Sequence, residues 1–121
     1  MKRVLILEDS DERIRQFKMN FLNVEMVFVE HVEDCIEQLK TKSFWGLFLD
    51  HDLNGKVYVE SGGDEETGDD VAIFLRDNPE YKPEFVAVHS LNENGKNNIM
   101  SKIDCSVIPI CIWTQKIDFA D

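Results

Sequence analysis

Short apolar runs alternate with amphipathic segments along the whole of this chain. The apolar runs are rich in β-branched and aliphatic residues and end at polar or turn-forming residues, which is typical of buried strands. The amphipathic segments carry apolar residues three or four positions apart, the spacing of a helix with one buried face. The predicted strands are Arg3–Leu7, Val24–Val29, Trp45–Leu49, Phe85–Val88 and Val107–Trp113, and the predicted helices are Ser10–Leu22, Val32–Lys40, Asp69–Asp77 and Asn94–Ile103.

This alternation predicts an α/β fold in a single domain over residues 1–121. Strands separated by helices are joined by crossover connections, so neighbouring strands run parallel. Five such strands fit a flavodoxin-like doubly wound sheet with the strand order 2-1-3-4-5. The glycine-rich segment Asn54–Gly68 is expected to be a loop, and Thr114–Asp121 is too short to assign.

Polar residues follow three of the predicted strands at the point where each strand ends. They are Glu8-Asp9 after the first strand, Asp50-His51-Asp52 after the third, and His89-Ser90 after the fourth. In the predicted order these strands are neighbours, about 4.8 Å apart. Open α/β sheets bind ligands at the carboxyl ends of their strands. We therefore expect the carboxylates and both histidines to lie in one cleft.

The formal net charge of −11 limits the partners of this chain. A surface of this sign repels a polyanion, so binding of nucleic acid along an extended groove is not expected. No apolar stretch approaches the roughly 20 residues that span a bilayer, so no membrane partner is expected. Cys35, Cys105 and Cys111 have no Cys-x-x-Cys spacing, which favours buried, reduced thiols in a cytoplasmic protein.

The chain resembles the receiver domain of response regulators over essentially its whole length. The resemblance rests on the acidic pair Glu8-Asp9, on Asp50 after the third strand, and on His89-Ser90 after the fourth. In receivers the acidic pair and this aspartate hold magnesium, and the aspartate accepts a phosphoryl group. The chain departs from receivers because Val107–Ile112 lacks the lysine that they place after the fifth strand, and because the last helix is missing or replaced.

Three motifs are similar to those of a divergent group, the cyclic-phosphate processing receiver domains. They are Leu49-Asp50-His51-Asp52-Leu53, Thr67-Gly68-Asp69-Asp70-Val71 and His89-Ser90-Leu91-Asn92-Glu93-Asn94-Gly95. The resemblance implies a setting in RNA repair or in bacterial and phage conflict. It also implies action on a cyclic phosphate, either a 2′,3′-cyclic RNA end or a small cyclic nucleotide.

Opening a cyclic phosphodiester requires a base that activates water and an acid that protonates the leaving sugar oxygen. Imidazoles suit both roles near neutral pH, and a neighbouring carboxylate orients an imidazole. The predicted catalytic residues are therefore His51, His89 and Asp52. The predicted ligands of a divalent cation, Mg²⁺ or Mn²⁺, are Glu8, Asp9 and Asp50. The predicted phosphate- or ligand-binding residues are Ser90, Asn92, Gly95 and Lys96.

Most of these residues also have an ordinary structural interpretation. His89 can be a hydrogen-bonded core histidine, Asp9 a helix cap, Asp52 a turn residue and Lys96 a solvated lysine. Three classes of function therefore stay open: a phosphoesterase with or without a metal, a receiver that takes phosphate on Asp50, and a non-catalytic binding module in bacterial or phage conflict. No organic cofactor is expected, and the partner is a small phosphorylated ligand, an RNA end or a protein.

Overall fold

Four parallel strands and four α-helices form most of the computed structural model, which describes residues 1–53, 60–63, 65–105 and 111–120. The strands of the main sheet are β1 (Lys2–Leu7), β3 (Val24–Val29), β4 (Gly46–Leu49) and β5 (Phe85–Val88). The helices are α1 (Asp11–Asn20), α2 (Val32–Thr41), α3 (Gly68–Asp77) and α4 (Glu93–Met100). Two short strands, β2 (Phe21–Leu22) and β6 (Ile117–Asp118), pair separately, and short 3-10 helices cover Pro79–Tyr81 and Ile112–Thr114.

The main sheet has the order β3-β1-β4-β5, and every neighbouring pair is parallel. Leu7 pairs with Val29 on one side and with Leu49 on the other, and Leu49 pairs with Val88. The strands β1, β4 and β5 therefore end at the same level. For the four long strands this is the predicted order 2-1-3-4, and the flavodoxin-like α/β class is confirmed.

The predicted fifth strand, Val107–Trp113, lies mostly outside the described residues, which exclude 106–110. In the described part, Ile112 and Trp113 belong to a 3-10 helix, so the prediction of a strand was wrong there. A short apolar run can be buried in either conformation, and periodicity alone does not distinguish them. Within residues 111–120 no α-helix follows, and the chain instead returns to pair as β6.

Helix α1 ends at Asn20, two residues before the predicted end at Leu22. Phe21 takes an extended conformation (φ −88°, ψ 118°) and pairs with Ile117 of β6. Its ring still packs on Phe17, with the ring centroids 5.0 Å apart. The apolar spacing therefore continues through the end of the helix, which is why the pattern placed the boundary too late.

Side chains of the main sheet alternate between two cores on opposite faces, because successive residues of a strand point to opposite sides. In β4, Leu47 and Leu49 belong to the core that α2, α3 and α4 cover. Phe48 belongs to the other core, beside Phe17 of α1 and Trp113. We call these the α4 face and the α1 face of the sheet. The alternation continues past the end of β4 and decides where the polar residues point.

The three cysteines are free, but they are not all buried as the sequence predicts. Cys35 is buried and Cys105 half-buried, whereas Cys111 is exposed. Burial raises the pKa of the Cys35 thiol to about 12 and that of Cys105 to about 11. In the described part of the chain, no helix is both long and apolar enough to cross a membrane.

Candidate functional site

Glu8, Asp50 and His89 each occupy the first position after a strand of the main sheet. Backbone hydrogen bonds continue the ladder to this level. The N–H of Asp50 donates to the carbonyl of Leu7 (3.2 Å), and the N–H of His89 donates to that of Leu49 (2.8 Å). Because the three residues share the same position in the alternation, their side chains all point to the α1 face. We call them the carboxylate–histidine cluster.

The side chains of this cluster are in contact and excluded from solvent. Glu8 and His89 are fully buried, and Asp50 is 2% exposed. Nε2 of His89 lies 3.1 Å from Oε1 of Glu8. The other oxygen of Glu8 accepts hydrogen bonds from the backbone N–H groups of Asp9 and Ser10, both at 3.1 Å. Buried carboxylates need such donors, because an unpaired buried charge is strongly unfavourable.

Arg13 brings a positive charge to the cluster from the first turn of α1. Its Nη1 lies 3.4 Å from Oδ2 of Asp50 and 3.6 Å from Oε1 of Glu8. The guanidinium also stacks over the ring of Trp113, 4.3 Å from the ring centre. Ser10 holds the start of this helix, because its hydroxyl accepts a hydrogen bond from the N–H of Arg13. The helix cap is therefore Ser10 and not Asp9.

The two buried carboxyls differ in protonation. Burial raises the pKa of Asp50 from 3.8 to about 9, and the charge of Glu8 adds to the rise, whereas Arg13 opposes it. Burial also acts to raise the pKa of Glu8, but the hydrogen bond and charge of His89 outweigh it, and the pKa of Glu8 is lowered. Without a cation, burial therefore favours the protonated form of Asp50, whereas His89 favours the ionised form of Glu8.

The carboxylate–histidine cluster fits a divalent cation. One potential ligand atom from each residue lies within 4.8 Å of the other two. Two carboxylates and an imidazole are ligands that Mn²⁺ accepts, and a cation would supply the charge that Asp50 needs to ionise. Nδ1 of His89 is buried and has no hydrogen-bond partner among the described residues. Asp9 is not a member of this cluster, so its predicted role as a metal ligand stays a prediction.

His51 lies in a second network, which starts one residue further along the chain. Nδ1 of His51 is 2.8 Å from Oδ1 of Asp52, and Nε2 is 2.7 Å from Oγ of Ser61. The side-chain amide of Asn92 donates to the same oxygen of Asp52 (3.0 Å). The imidazole is fully buried. We call His51, Asp52, Ser61 and Asn92 the His51 network.

Gly95 of α4 is the residue against which the ring of His51 packs. A Cβ atom at this position would lie 2.4 Å from Cγ and Nδ1 of the imidazole, which is too close for any side chain. A residue without a side chain allows the helix to approach the ring this closely. The contact places His51 on the α4 face of the sheet.

The two histidines therefore share the carboxyl edge of the sheet but lie on its opposite faces. His89 packs against Phe17 on the α1 face, with ring centroids 5.2 Å apart, whereas His51 packs against Gly95. The expectation of a single cleft for both is not met. The reason is the alternation of side chains, which turns His51 away from its neighbour Asp50.

The predicted ligand-binding residues hold the start of α4. Oγ of Ser90 accepts from the N–H of Asn92 (3.1 Å), and Oδ1 of Asn92 accepts from the N–H of Gly95 (2.9 Å). The backbone N–H of Lys96 donates to the carbonyl of Asn92, and its ammonium lies 3.2 Å from Glu93. These contacts cap the helix, and a role for the four residues in ligand binding stays a prediction.

Sequence reasoning missed two residues of the site, Arg13 and Ser61. The position of Arg13 in the first turn of the helix that follows Glu8-Asp9 is a usable signal, because the start of such a helix faces the carboxyl edge of the sheet. Ser61 had a weaker signal, which was its place beside two glycines in a loop that follows the Asp50-His51-Asp52 motif.

Residues 3–104 match the family of cyclic-phosphate processing receiver domains. The chain belongs to this family. No curated protein sequence matches this cyclic-phosphate processing receiver domain at a significant level. The match extends from β1 past the end of α4 and so includes both the carboxylate–histidine cluster and the His51 network.

Solved receiver structures resemble this cyclic-phosphate processing receiver domain in fold. The Mn²⁺-bound form of the response regulator Rcp1 has a TM-score of 0.68 at 18% identity, over 95% of this chain and 90% of that one. A CheY-like receiver domain from Methylobacillus flagellatus has a TM-score of 0.63 at 19% identity, over 91% and 90%. The response regulator TrrA from Thermotoga maritima, in complex with Mg²⁺-BeF, has 0.63 at 16% identity, over 90% and 87%. At these identities the likeness establishes the fold.

Proposed function

We propose that this chain hydrolyses a cyclic phosphodiester, either a 2′,3′-cyclic RNA end or a small cyclic nucleotide. The observation that carries the proposal is the convergence of two carboxyls, an imidazole and a guanidinium at the carboxyl edge of the sheet, where open α/β sheets bind ligands. The family to which the chain belongs supports the choice of a cyclic phosphate.

Glu8, Asp50 and His89 would hold the divalent cation. A bound Mn²⁺ or Mg²⁺ polarises a phosphoryl oxygen and lowers the pKa of a bound water. The similar fold of Rcp1 is known in an Mn²⁺-bound form, which supports a cation in this chain as well. No organic cofactor is part of the proposal.

Arg13 and the His51 network supply the remaining functions. The guanidinium of Arg13 has donors in a planar fork that matches phosphate oxygens, and it already lies beside the two carboxyls. His51, held by Asp52, can accept a proton at Nε2 and return it to a leaving oxygen. In this proposal Arg13 neutralises charge on the α1 face, and His51 transfers the proton on the α4 face of the same sheet edge.

The experiment that tests this proposal is incubation of the full chain with a panel of cyclic phosphates. The panel contains an oligonucleotide with a 2′,3′-cyclic phosphate end, 2′,3′-cyclic nucleotides and 3′,5′-cyclic nucleotides, each with chelator, Mg²⁺ or Mn²⁺. We expect turnover of at least one member with Mn²⁺ or Mg²⁺ and its loss in chelator. Glu8→Gln should remove the activity, whereas the exposed Glu33→Gln should retain it. Binding without turnover of any member would instead favour a non-catalytic binding module.

A receiver that takes phosphate on Asp50 is the second candidate. The placement of Arg13 beside Asp50 favours it, because a cation there partly compensates for the lysine that the sequence lacks. We nevertheless expect no stable adduct when the chain is treated with acetyl phosphate and Mg²⁺, because Asp50 is 2% exposed and Val107–Ile112 lacks the lysine with which receivers stabilise the acyl phosphate. Intact-mass measurement checks this, with Asp50→Asn as the background. A stoichiometric adduct in the wild type alone would place the receiver function first.

The cellular compartment and the kind of partner are part of the same proposal. Free thiols at all three cysteines agree with a reducing compartment, and we place the protein in the cytoplasm of a bacterium or of a cell infected by a phage. The net charge of −11 favours a small ligand or a single strand end over a long nucleic acid. A protein partner is compatible with this arrangement.

A further inference from the structure

The His51 network contains a hydroxyl to which the proposed function gives no role. Nε2 of His51 lies 2.7 Å from Oγ of Ser61, and Nδ1 lies 2.8 Å from Oδ1 of Asp52. A carboxylate, an imidazole and a hydroxyl in this order form the arrangement that activates a serine in hydrolases. We propose that Ser61 is the nucleophile of this site, with His51 as its base and Asp52 as the positioning residue.

The direction of each hydrogen bond in the His51 network can be assigned by starting from Asn92. Oδ1 of Asn92 accepts from the backbone N–H of Gly95, so its Nδ2 is the donor to Asp52. A carboxylate only accepts, so Nδ1 of His51 carries a proton and donates it to Asp52. In the neutral imidazole Nε2 then carries the free lone pair, and the hydroxyl of Ser61 donates its proton to it. This is the tautomer that a general base requires.

The surroundings of Ser61 also suit a nucleophile. His51 is fully buried and Ser61 half-buried, so Ser61 is more accessible to solvent than the imidazole that it contacts. Asn98 of α4 donates from Nδ2 to the same oxygen at 2.9 Å and so provides a hydrogen-bond donor beside the reacting atom. Gly62, the next residue, has φ 76°, a conformation that favours glycine, and no described atom lies within 4 Å of a Cβ built there.

The substrate class of Ser61 rests on the proposed function. Oγ of Ser61 attacks the phosphorus of a cyclic phosphodiester while its proton moves to Nε2 of His51. The bond from phosphorus to one sugar oxygen breaks, and that oxygen takes the proton from His51. A water molecule then attacks the phosphorus and gives its proton to His51. The bond to Ser61 breaks, Oγ takes the proton back, and the net change is the addition of one water.

The experiment uses diisopropyl fluorophosphate, which reacts with activated serines and does not depend on the natural substrate. We expect a single adduct on Ser61 by intact mass and peptide mapping. Its rate should fall by about 10² or more in His51→Gln and Asp52→Asn, since removal of a general base typically costs about 10² to 10⁴. Ser61→Ala should remove the adduct, and Ser43→Ala, at an exposed serine before the start of β4, should leave it unchanged.

Absence of an adduct on Ser61, or a rate that His51→Gln leaves unchanged, would overturn the assignment. Circular dichroism and melting temperatures check that each variant is folded, and Ser61→Ala, at a half-exposed turn, keeps the comparison available if the change at His51 unfolds the chain.

A failure of the proposed function can be distinguished from a failure of the Ser61 assignment. Turnover of a cyclic phosphate that persists in Ser61→Ala would overturn the role of Ser61 and leave the proposed function standing. An adduct on Ser61 without turnover of any panel member would support the nucleophile and count against the cyclic phosphate.

Discussion

Replacement of Asp50 by asparagine should raise the melting temperature of the metal-free protein by roughly 10 °C near neutral pH. The carboxyl of Asp50 has a pKa of 3.8 in an unfolded chain and of about 9 in the fold, so folding must keep it protonated. Each pKa unit corresponds to about 1.4 kcal/mol, and we expect a gain of about 2 to 4 kcal/mol once the burial of the amide is included.

The pH dependence of this gain follows from the direction of the shift. Below pH 3.8 Asp50 is protonated in both states, so the carboxyl costs no stability and the variant has no advantage. Between pH 3.8 and about 9 the unfolded chain releases the proton and the folded chain retains it, so the penalty on the wild type grows with pH. Thermal melts in chelator from acid to mildly alkaline pH measure this.

Two controls distinguish the effect of the buried Asp50 carboxyl from the effect of replacing any aspartate by asparagine. Asp77→Asn, at an exposed aspartate that ends α3, should change the melting temperature little, because exposed substitutions usually alter stability by less than about 0.5 kcal/mol. Mn²⁺ should stabilise the wild type and not Asp50→Asn, because a cation held by Glu8, Asp50 and His89 would take the place of the proton on Asp50. A variant as stable as the wild type at all pH values would show that Asp50 is ionised in the fold.

His51→Ala and His89→Ala should each lower the turnover of a cyclic phosphate by about 10² to 10⁴. In the proposed function His51 transfers the proton, and His89, whose Nε2 lies 3.1 Å from Glu8, would hold the cation together with that carboxylate. The third histidine, His31, is exposed at the start of α2, and His31→Ala should leave turnover unchanged. Measurement of kcat with the best panel substrate, with melts of each variant, checks these losses.

The double variant shows whether the two histidines act together. Losses that do not multiply indicate that both act in one step, whereas losses that multiply indicate independent contributions. If both single variants retain wild-type turnover, the histidines have no catalytic role and the proposed function must rest on the carboxyls and Arg13 alone.

Much of the fold and part of the site could be predicted from local patterns. The strand ends were found because an apolar run that stops at a carboxylate is a local feature, as at Leu7-Glu8 and Leu49-Asp50. Parallel pairing then aligns these ends, so the meeting of Glu8, Asp50 and His89 needed no tertiary information beyond strand order.

The remaining features of the site and fold depend on three-dimensional geometry, which the identity of a residue does not reveal. The position of His51 required the alternation rule to be applied beyond the end of β4, where the predicted strand stops. Ser61 is separated from His51 by a segment without periodicity, so no spacing relates the two. The end of α1 was set by pairing of Phe21 with Ile117, a contact between distant parts of the chain.

The consecutive placement of Asp50 and His51 has a consequence for how this sequence can change over generations. Because neighbouring side chains alternate between the faces, a shift of one residue moves a side chain to the opposite face of the sheet. A substitution can alter either network alone. Gain of one codon between them would instead move the imidazole to the face that holds the carboxylates. We therefore expect related genes to differ at these positions by substitution and to keep their spacing.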